Sequence, residues 1–373
     1  MMVRLSSPSA PRLFIRTILV RDGAFLAVTL LSCAVAAIVA TFQYSVYTSF
    51  VRASAVVPRV LGGDFWVTAA SVECFDFPDP ISEDYAGVLA HYVPGATFRR
   101  VVFGFATWRS PTGRRGNVAV VGVDGTGLPD TGFAVDRSDL ARLDLSGTGP
   151  QPFTQASISD TTLHLARTVD TMPTFLGAPY VVVPFERGRE LLRMDPSSTS
   201  FLIGSLNGQA QDLTAARQAA ALRFPEVTLL ASGDFQASSS RYWQNKTGAG
   251  MAILLAALLA GVLMAILLAN GVLRFIQRYH QDFVSLLGHG ADQRDITLIV
   301  AGIATLIAAV TMMSALVVTP VMILAFRGLL PWASFNLFDA LVPLSAVVVS
   351  LAVALLAARR SITAFGPEAV FRS

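Results

Sequence analysis

Residues 247–273 read TGAGMAILLAALLAGVLMAILLANGVL, with Lys246 before them, Arg274 after them and no charge between. A helix of that length rises about 40 Å at ~1.5 Å per residue, which exceeds the roughly 30 Å hydrocarbon core of a bilayer. Two further stretches, 23–51 and 296–326, are likewise uncharged and long, and a fourth, 338–358, is apolar apart from Asp339 near its start. The fold class expected is therefore an α-helical membrane protein with four transmembrane helices. A mixed α+β extracytoplasmic domain, residues 52–246, is inserted between helices 1 and 2 and is long enough to hold its own core. Composition agrees. The 373 residues are 53% hydrophobic and only 14% charged, against about 25% charged in an average soluble domain.

The arginines set the orientation. Arg4, Arg12, Arg16 and Arg21 precede the first span, Arg274, Arg278 and Arg294 lie between the second and third, and Arg359, Arg360 and Arg372 follow the fourth. The turn between spans three and four carries only Arg327. This distribution puts both termini in the cytoplasm. Residues 1–22 are then a cytoplasmic amphipathic segment, 274–295 a cytoplasmic loop and 359–373 a cytoplasmic tail. Leu30-Leu31-Ser32-Cys33 and Ala34-Val35-Ala36 resemble leader-cleavage sites, but the apolar run continues through Phe42. A leader would turn polar there, so a retained span is expected. The pairs Ala256/Ala260 and Ala257/Gly261 allow close helix approach, inside the bundle or at a dimer seam. Pro320 removes a backbone donor from span three and is expected to kink it.

The external region mixes both periodicities. Short strands are expected over 64–68, 97–108, 117–123, 180–183, 200–205 and 227–231, with the turn Arg109-Ser110-Pro111-Thr112-Gly113 making a hairpin of the second and third. Helices are expected over 81–92, 185–194 and 209–223, the last with Leu213, Ala216, Ala220 and Leu222 on its apolar side. Residues 124–152 are rich in Gly, Pro and Asp.

Chemistry is conspicuous by its exclusions. The formal charge of +3 and the lack of a basic stripe argue against nucleic acid. The four histidines are scattered, and the two cysteines, Cys33 and Cys74, have no ligand spacing or compartment in common. There is no G-x-S-x-G, no H-E-x-x-H and no G-x-x-x-x-G-K-[ST], so neither a catalytic site nor a bound cofactor is expected. Asp76, Asp79, Glu83 and Asp84, beside Pro78 and Pro80, read as a solvated loop. The only lysine, Lys246, follows Tyr242-Trp243-Gln244-Asn245 rather than a glycine turn. ATP hydrolysis must then come from a partner.

In the loop after span two, Phe275, Ile276, Tyr279, Phe283, Leu286 and Leu287 recur at helical spacing, and Gly288 and Gly290 end the pattern. Such a stripe serves equally to lie on the bilayer surface or to fill a groove on another protein. In the second case Phe283 and Leu286 would be the interface anchors.

The order of one span, a large external domain and three clustered spans resembles the MacB/FtsX-like permease family. Gly63-Asp64-Phe65-Trp66-Val67, the segment 94–108, Tyr242-Trp243 with Thr247-Gly248-Ala249-Gly250, the segment 283–296 and the ending Gly366-Pro367-Glu368-Ala369-Val370-Phe371 resemble its DevC-type subgroup. The resemblance covers nearly the whole chain. It implies a homodimeric permease in a bacterial inner membrane, paired with a separate ABC ATPase subunit that binds ATP. It also implies mechanotransmission, a periplasmic adaptor protein and an outer-membrane channel, with residues 276–287 in the place of the coupling helix. Leu286-Leu287-Gly288-His289-Gly290 departs from the subgroup pattern by lacking a basic residue. The alternative within the family is an FtsX-like signalling subunit that activates a periplasmic partner and transports nothing. A ligand receptor would need a cytoplasmic output domain, for which the cytoplasmic parts are too short.

Overall fold

The computed structural model describes residues 22–145, 155–175, 177–206 and 213–363. The N-terminal segment before Asp22 and the Gly366–Phe371 ending lie outside them. The chain divides into two compact units.

The first unit holds four helices long and apolar enough to cross a membrane. They are α1 (Gly23–Ala53), α7 (Ala249–Arg278), α9 (Gln293–Ala325) and α10 (Leu337–Thr363), with a short α8 (His280–Gly288) between α7 and α9. α9 is the most buried of the four, at 44% of its apolar window, and α7 the least, at 22%, so α9 is the central post of the bundle. Ala257 and Ala260 of the small-residue pairs are buried within this unit. Leu255, Leu258, Leu259 and Val262 on the other face of α7 are exposed. Close approach is explicit at Gly271, where a Cβ would stand 2.6 Å from the Thr29 methyl of α1. α9 is assigned as one helix through Pro320.

The second unit comprises Phe50–Gly250 together with Gly328–Trp332. Its helices are α2 (Val56–Leu61), α3 (Tyr85–Ala90), α4 (Phe185–Leu191), α5 (Leu213–Arg223) and α6 (Ser232–Arg241). Its strands are β1 (Phe65–Ala69), β2 (Ile81–Ser82), β3 (Thr97–Arg109), β4 (Arg115–Val123), β5 (Gly132–Asp136), β6 (Gln155–Ile158), β7 (Thr161–Val169), β8 (Tyr180–Pro184), β9 (Ser198–Thr199), β10 (Phe201–Ser205) and β11 (Val227–Ala231). Nine of them form one sheet in the order β11-β1-β10-β3-β4-β8-β5-β7-β6, and β6 pairs back onto β3. Six strands thus close into a ring, while β10, β1 and β11 continue as an open wing. The β4–β8 and β5–β7 pairs are parallel and the rest antiparallel.

Strand alternation divides the core in two. Ala106 and Trp108 of β3, Val118 and Val120 of β4, Phe133 and Val135 of β5, and Val181 and Val183 of β8 fill the ring. Val101 and Phe103 of β3, with Ala119 and Val121 of β4, meet Trp66, Phe75, Phe201 and Phe235 in a second, aromatic-rich core. Phe75 stacks on Phe201 at 5.0 Å, and Trp66 lies 5.0 Å from Phe235. Gly204 is obligatory here, because a Cβ would come within 2.0 Å of the Phe65 ring across the β1–β10 pair. At the rim, Arg100 lies 4.1 Å over the Phe185 ring and bonds Glu83 at 2.8 Å and Asp124 at 3.0 Å.

The secondary structure departs from expectation in places. The helix expected over 81–92 is a two-residue strand followed by the six-residue α3. Strands β5, β6 and β7 run where residues 124–152 and the sequence after them gave no strand signal. Leu222 of α5 is 85% exposed, whereas Ala216 and Ala220 are buried, so the apolar side of α5 is narrower than its composition suggests.

Candidate functional site

Two clusters of side chains are the candidates, one at the α7–α9 connection in the first unit and one in the second unit around the aromatic residues Phe50, Phe175, Trp243 and Trp332.

In the first unit, the six stripe residues come together and face inward. Phe275, Ile276, Tyr279 and Phe283 are 5% exposed or less, and Phe283 is fully buried. They pack with Leu26 and Cys33 of α1, Ile296, Val300 and Ile303 of α9, and Ala354 and Ala358 of α10, with Leu286 and Leu287 partly buried against them. Neither setting named for the stripe, bilayer surface or partner groove, describes Phe283 here. Its ring is a wedge between helices of its own chain. The outward face of α8 is polar: Gln281, Asp282 and Ser285 are exposed.

The local geometry makes α8 an extension of the spans. Tyr279 leaves the helical region (φ −100°, ψ 16°), yet its N–H still donates to the Phe275 carbonyl, and the Phe283 N–H donates to the Tyr279 carbonyl. At the far end the Ala291 N–H bonds the Leu286 carbonyl and the Gly290 N–H bonds the Leu287 carbonyl, with Gly290 at φ +90°. That is a Schellman stop, which glycine alone makes without strain. Two residues later the Asp292 N–H donates to the Asp295 carboxylate at 3.1 Å at the start of α9. A stop, a short turn and a start leave little slack between α8 and α9.

A polar latch ties the N-terminal end of α1 to the same place. The Arg278 guanidinium donates to Asp22 at 2.6 Å and the Tyr279 hydroxyl donates to it at 2.5 Å, while Arg278 also lies 5.3 Å over the Phe25 ring. Burial, and then this carboxylate, push the Tyr279 hydroxyl up to about 12. The sequence offered no signal for the latch, because Asp22 and Arg278 are 256 positions apart.

In the second unit, an aromatic chain gathers residues from three connections. Trp332, in the turn between α9 and α10, lies 5.9 Å from Phe50 of α1 and 6.2 Å from Phe175. Phe175 stands 5.2 Å edge-on from Trp243, in the π-turn Tyr242–Lys246 that leads to α7. Trp243 continues to Phe77 at 6.0 Å. Arg142 anchors the same turn by donating to the Gly328 carbonyl at 2.9 Å. The turn therefore does more than connect two spans.

Asp76 lies beneath this chain. Instead of sitting in a solvated loop, it is 3% exposed. Its carboxylate accepts from the Trp243 indole N–H at 2.8 Å and faces the Tyr180 hydroxyl at 3.5 Å. Burial raises its pKa to about 6, against the two hydrogen bonds, which lower it. Among the described residues no group of three or more His, Cys, Asp or Glu could hold a metal ion, and both cysteines are buried free thiols.

No family model and no curated protein matches the chain. Among solved structures, the periplasmic region of MacB from Actinobacillus actinomycetemcomitans aligns over 47% of this chain and 92% of its own, at 6% identity and a TM-score of 0.35. The extracellular domain of the ABC-type transporter YknZ from Gram-positive bacteria aligns over 45% of this chain and 100% of its own, at 11% identity and a TM-score of 0.33.

Proposed function

We propose that the chain is the permease subunit of an ABC-type exporter in a bacterial inner membrane, of the MacB/FtsX-like kind. It works as a homodimer with a separate ATPase and hydrolyses no ATP itself. The observation that carries this is the α7–α8–α9 connection. A short helix with a polar outer face is wedged by Phe283 into the bundle and joined to the most buried span by a turn without slack.

In this mechanism the ATPase grips the polar face of α8 around Gln281, Asp282 and Ser285. Phe275, Ile276, Tyr279, Phe283, Leu286 and Leu287 are coupling residues because they convert displacement of α8 into displacement of α1 and α9. A tightly packed seam shifts as a body and does not absorb motion. At the other end the aromatic chain of Phe50, Phe175, Trp243 and Trp332 hands that motion to the external domain. Both termini are cytoplasmic, and the adaptor protein and outer-membrane channel implied by the resemblance complete the export path. The exposed apolar face of α7 meets lipid or the second copy.

Affinity purification of the full chain in mild detergent tests this. The expected result is a co-purifying protein with a G-x-x-x-x-G-K-[ST] loop that accounts for all ATP hydrolysis. Hydrolysis by the chain alone, or recovery without any ATPase, would contradict it. Cysteine at Ser198 should react with an impermeant thiol reagent in cells with a permeabilised outer membrane, and cysteine at Gln293 should not.

A further inference from the structure

Away from both joints, the far end of the β3–β4 hairpin carries an arrangement that the coupling mechanism does not use. The register places Arg109 of β3 directly opposite Arg115 of β4 on one side and Ser157 of β6 on the other. Two residues back, Thr107 is opposite Asn117. Side chains two apart on a strand share a face, so these five lie together on the outside of the ring, opposite the inward Ala106, Trp108 and Val118. With Asp160 they line a cavity of about 360 Å³.

Like charges directly opposed across an antiparallel pair are destabilising. Among the described residues neither Arg109 nor Arg115 makes an ion pair. Asp160 lines the cavity without reaching either guanidinium, and its two arginines and one aspartate leave a formal charge of +1. Of the remaining lining residues, Trp108, Gly116, Thr107, Asn117 and Ser157, the last three offer side-chain donors on the outer face. Paired guanidinium forks with neutral donors around them are the arrangement that grips a carboxylate or phosphate through parallel N–H···O bonds.

We infer that this face of the β4–β3–β6 strands is a binding site for a small oxyanion, a phosphate monoester or carboxylate, held between Arg109 and Arg115. The same chemistry is presented by a free anion and by a phospholipid headgroup, and the probes must separate the two. Purified full-length chain in uncharged detergent is titrated with inorganic phosphate and, separately, with dihexanoyl phosphatidic acid below its micellar concentration, at low salt. Saturable binding is expected, weakening as salt rises, because exposed charge pairs are screened. Arg109→Gln and Arg115→Gln should each weaken it at least tenfold, while Arg167→Gln on β7 should leave it unchanged. Each of the two variants, without ligand, should also melt no lower than the parent, since it removes a like-charge pair. Tighter binding of phosphatidic acid identifies a lipid headgroup as the source, and equal or weaker binding a free anion. Absence of saturable binding, or binding that survives both Arg109→Gln and Arg115→Gln, would overturn the site.

Discussion

The seam under α8 and the aromatic joint around Trp243 fasten helices by different chemistry. The seam is apolar: Phe275, Ile276 and Phe283 meet Ile296, Val300 and Ile303 with no charged side chain among them, and a polar contact, the Asp22 latch, is at the edge. The joint is built from rings set edge-on or tilted over a buried carboxylate that accepts from Trp243. An apolar seam depends on shape and is indifferent to pH. A joint over a buried acid is conditional, because its energy changes with protonation. Under the proposed mechanism, the difference would let the seam transmit at every pH while the joint responds to the medium around the second unit.

The seam breaks hardest under a buried charge. Phe283→Asp leaves an unpaired carboxylate among aliphatic side chains, at a cost of several kcal/mol. Phe283→Ala leaves a cavity and costs about 3–5 kcal/mol. Both should lower the melting temperature of the purified chain, in that order, and a shift below 2 °C for Phe283→Asp would contradict the buried wedge.

The joint should respond to pH where the seam does not. The folded pKa of Asp76, about 6, lies above its ordinary 3.8, so between those values the folded chain holds a proton that the unfolded chain has lost. The stability this protonation gives is fully present below about pH 4 and is lost as pH rises through about 6. The span between the two values corresponds to at most about 3 kcal/mol. Asp76→Asn keeps an acceptor for Trp243 and removes the titration. Thermal unfolding of the full chain should decline from pH 4 to 7 in the parent and flatten in Asp76→Asn. Parallel profiles would show that Asp76 is solvated after all.

Smaller effects sharpen the contrast. Trp332→Ala removes ring contacts to Phe50 and Phe175 and should cost about 1–3 kcal/mol. It should also separate ATPase activity from the function of the external domain, leaving hydrolysis in the complex intact. Asp22→Asn at the edge of the seam should cost about 1 kcal/mol or less, since the latch is partly exposed to water.

The sequence disclosed those parts whose signal is local. The run from Thr247 onward, Val227–Ala231 and the hairpin turn at Pro111-Thr112-Gly113 are each legible from neighbours in the chain. The stripe from Phe275 to Leu287 was legible as a stripe, but periodicity does not say which surface covers it, and its own bundle does. β7 escaped because its side chains are mostly exposed or half-buried and include His164 and Arg167, so no alternation marks it. Asp76 read as solvated because of the acids and prolines around it. The group that buries it, Trp243, is 167 positions away. Trp332 could have been suspected, being a large aromatic in a short connection between spans.

The central claim is that the partner holds the polar face of α8 while the buried face transmits. Co-purification of the ATPase with Asp282→Arg and with Phe283→Leu, at matched membrane levels, tests both halves at once. Asp282→Arg is expected to release the ATPase while the permease stays folded in the membrane, and Phe283→Leu to retain the ATPase with weakened output. Full ATPase recovery with Asp282→Arg, or its loss with a well-folded Phe283→Leu chain, would contradict the account.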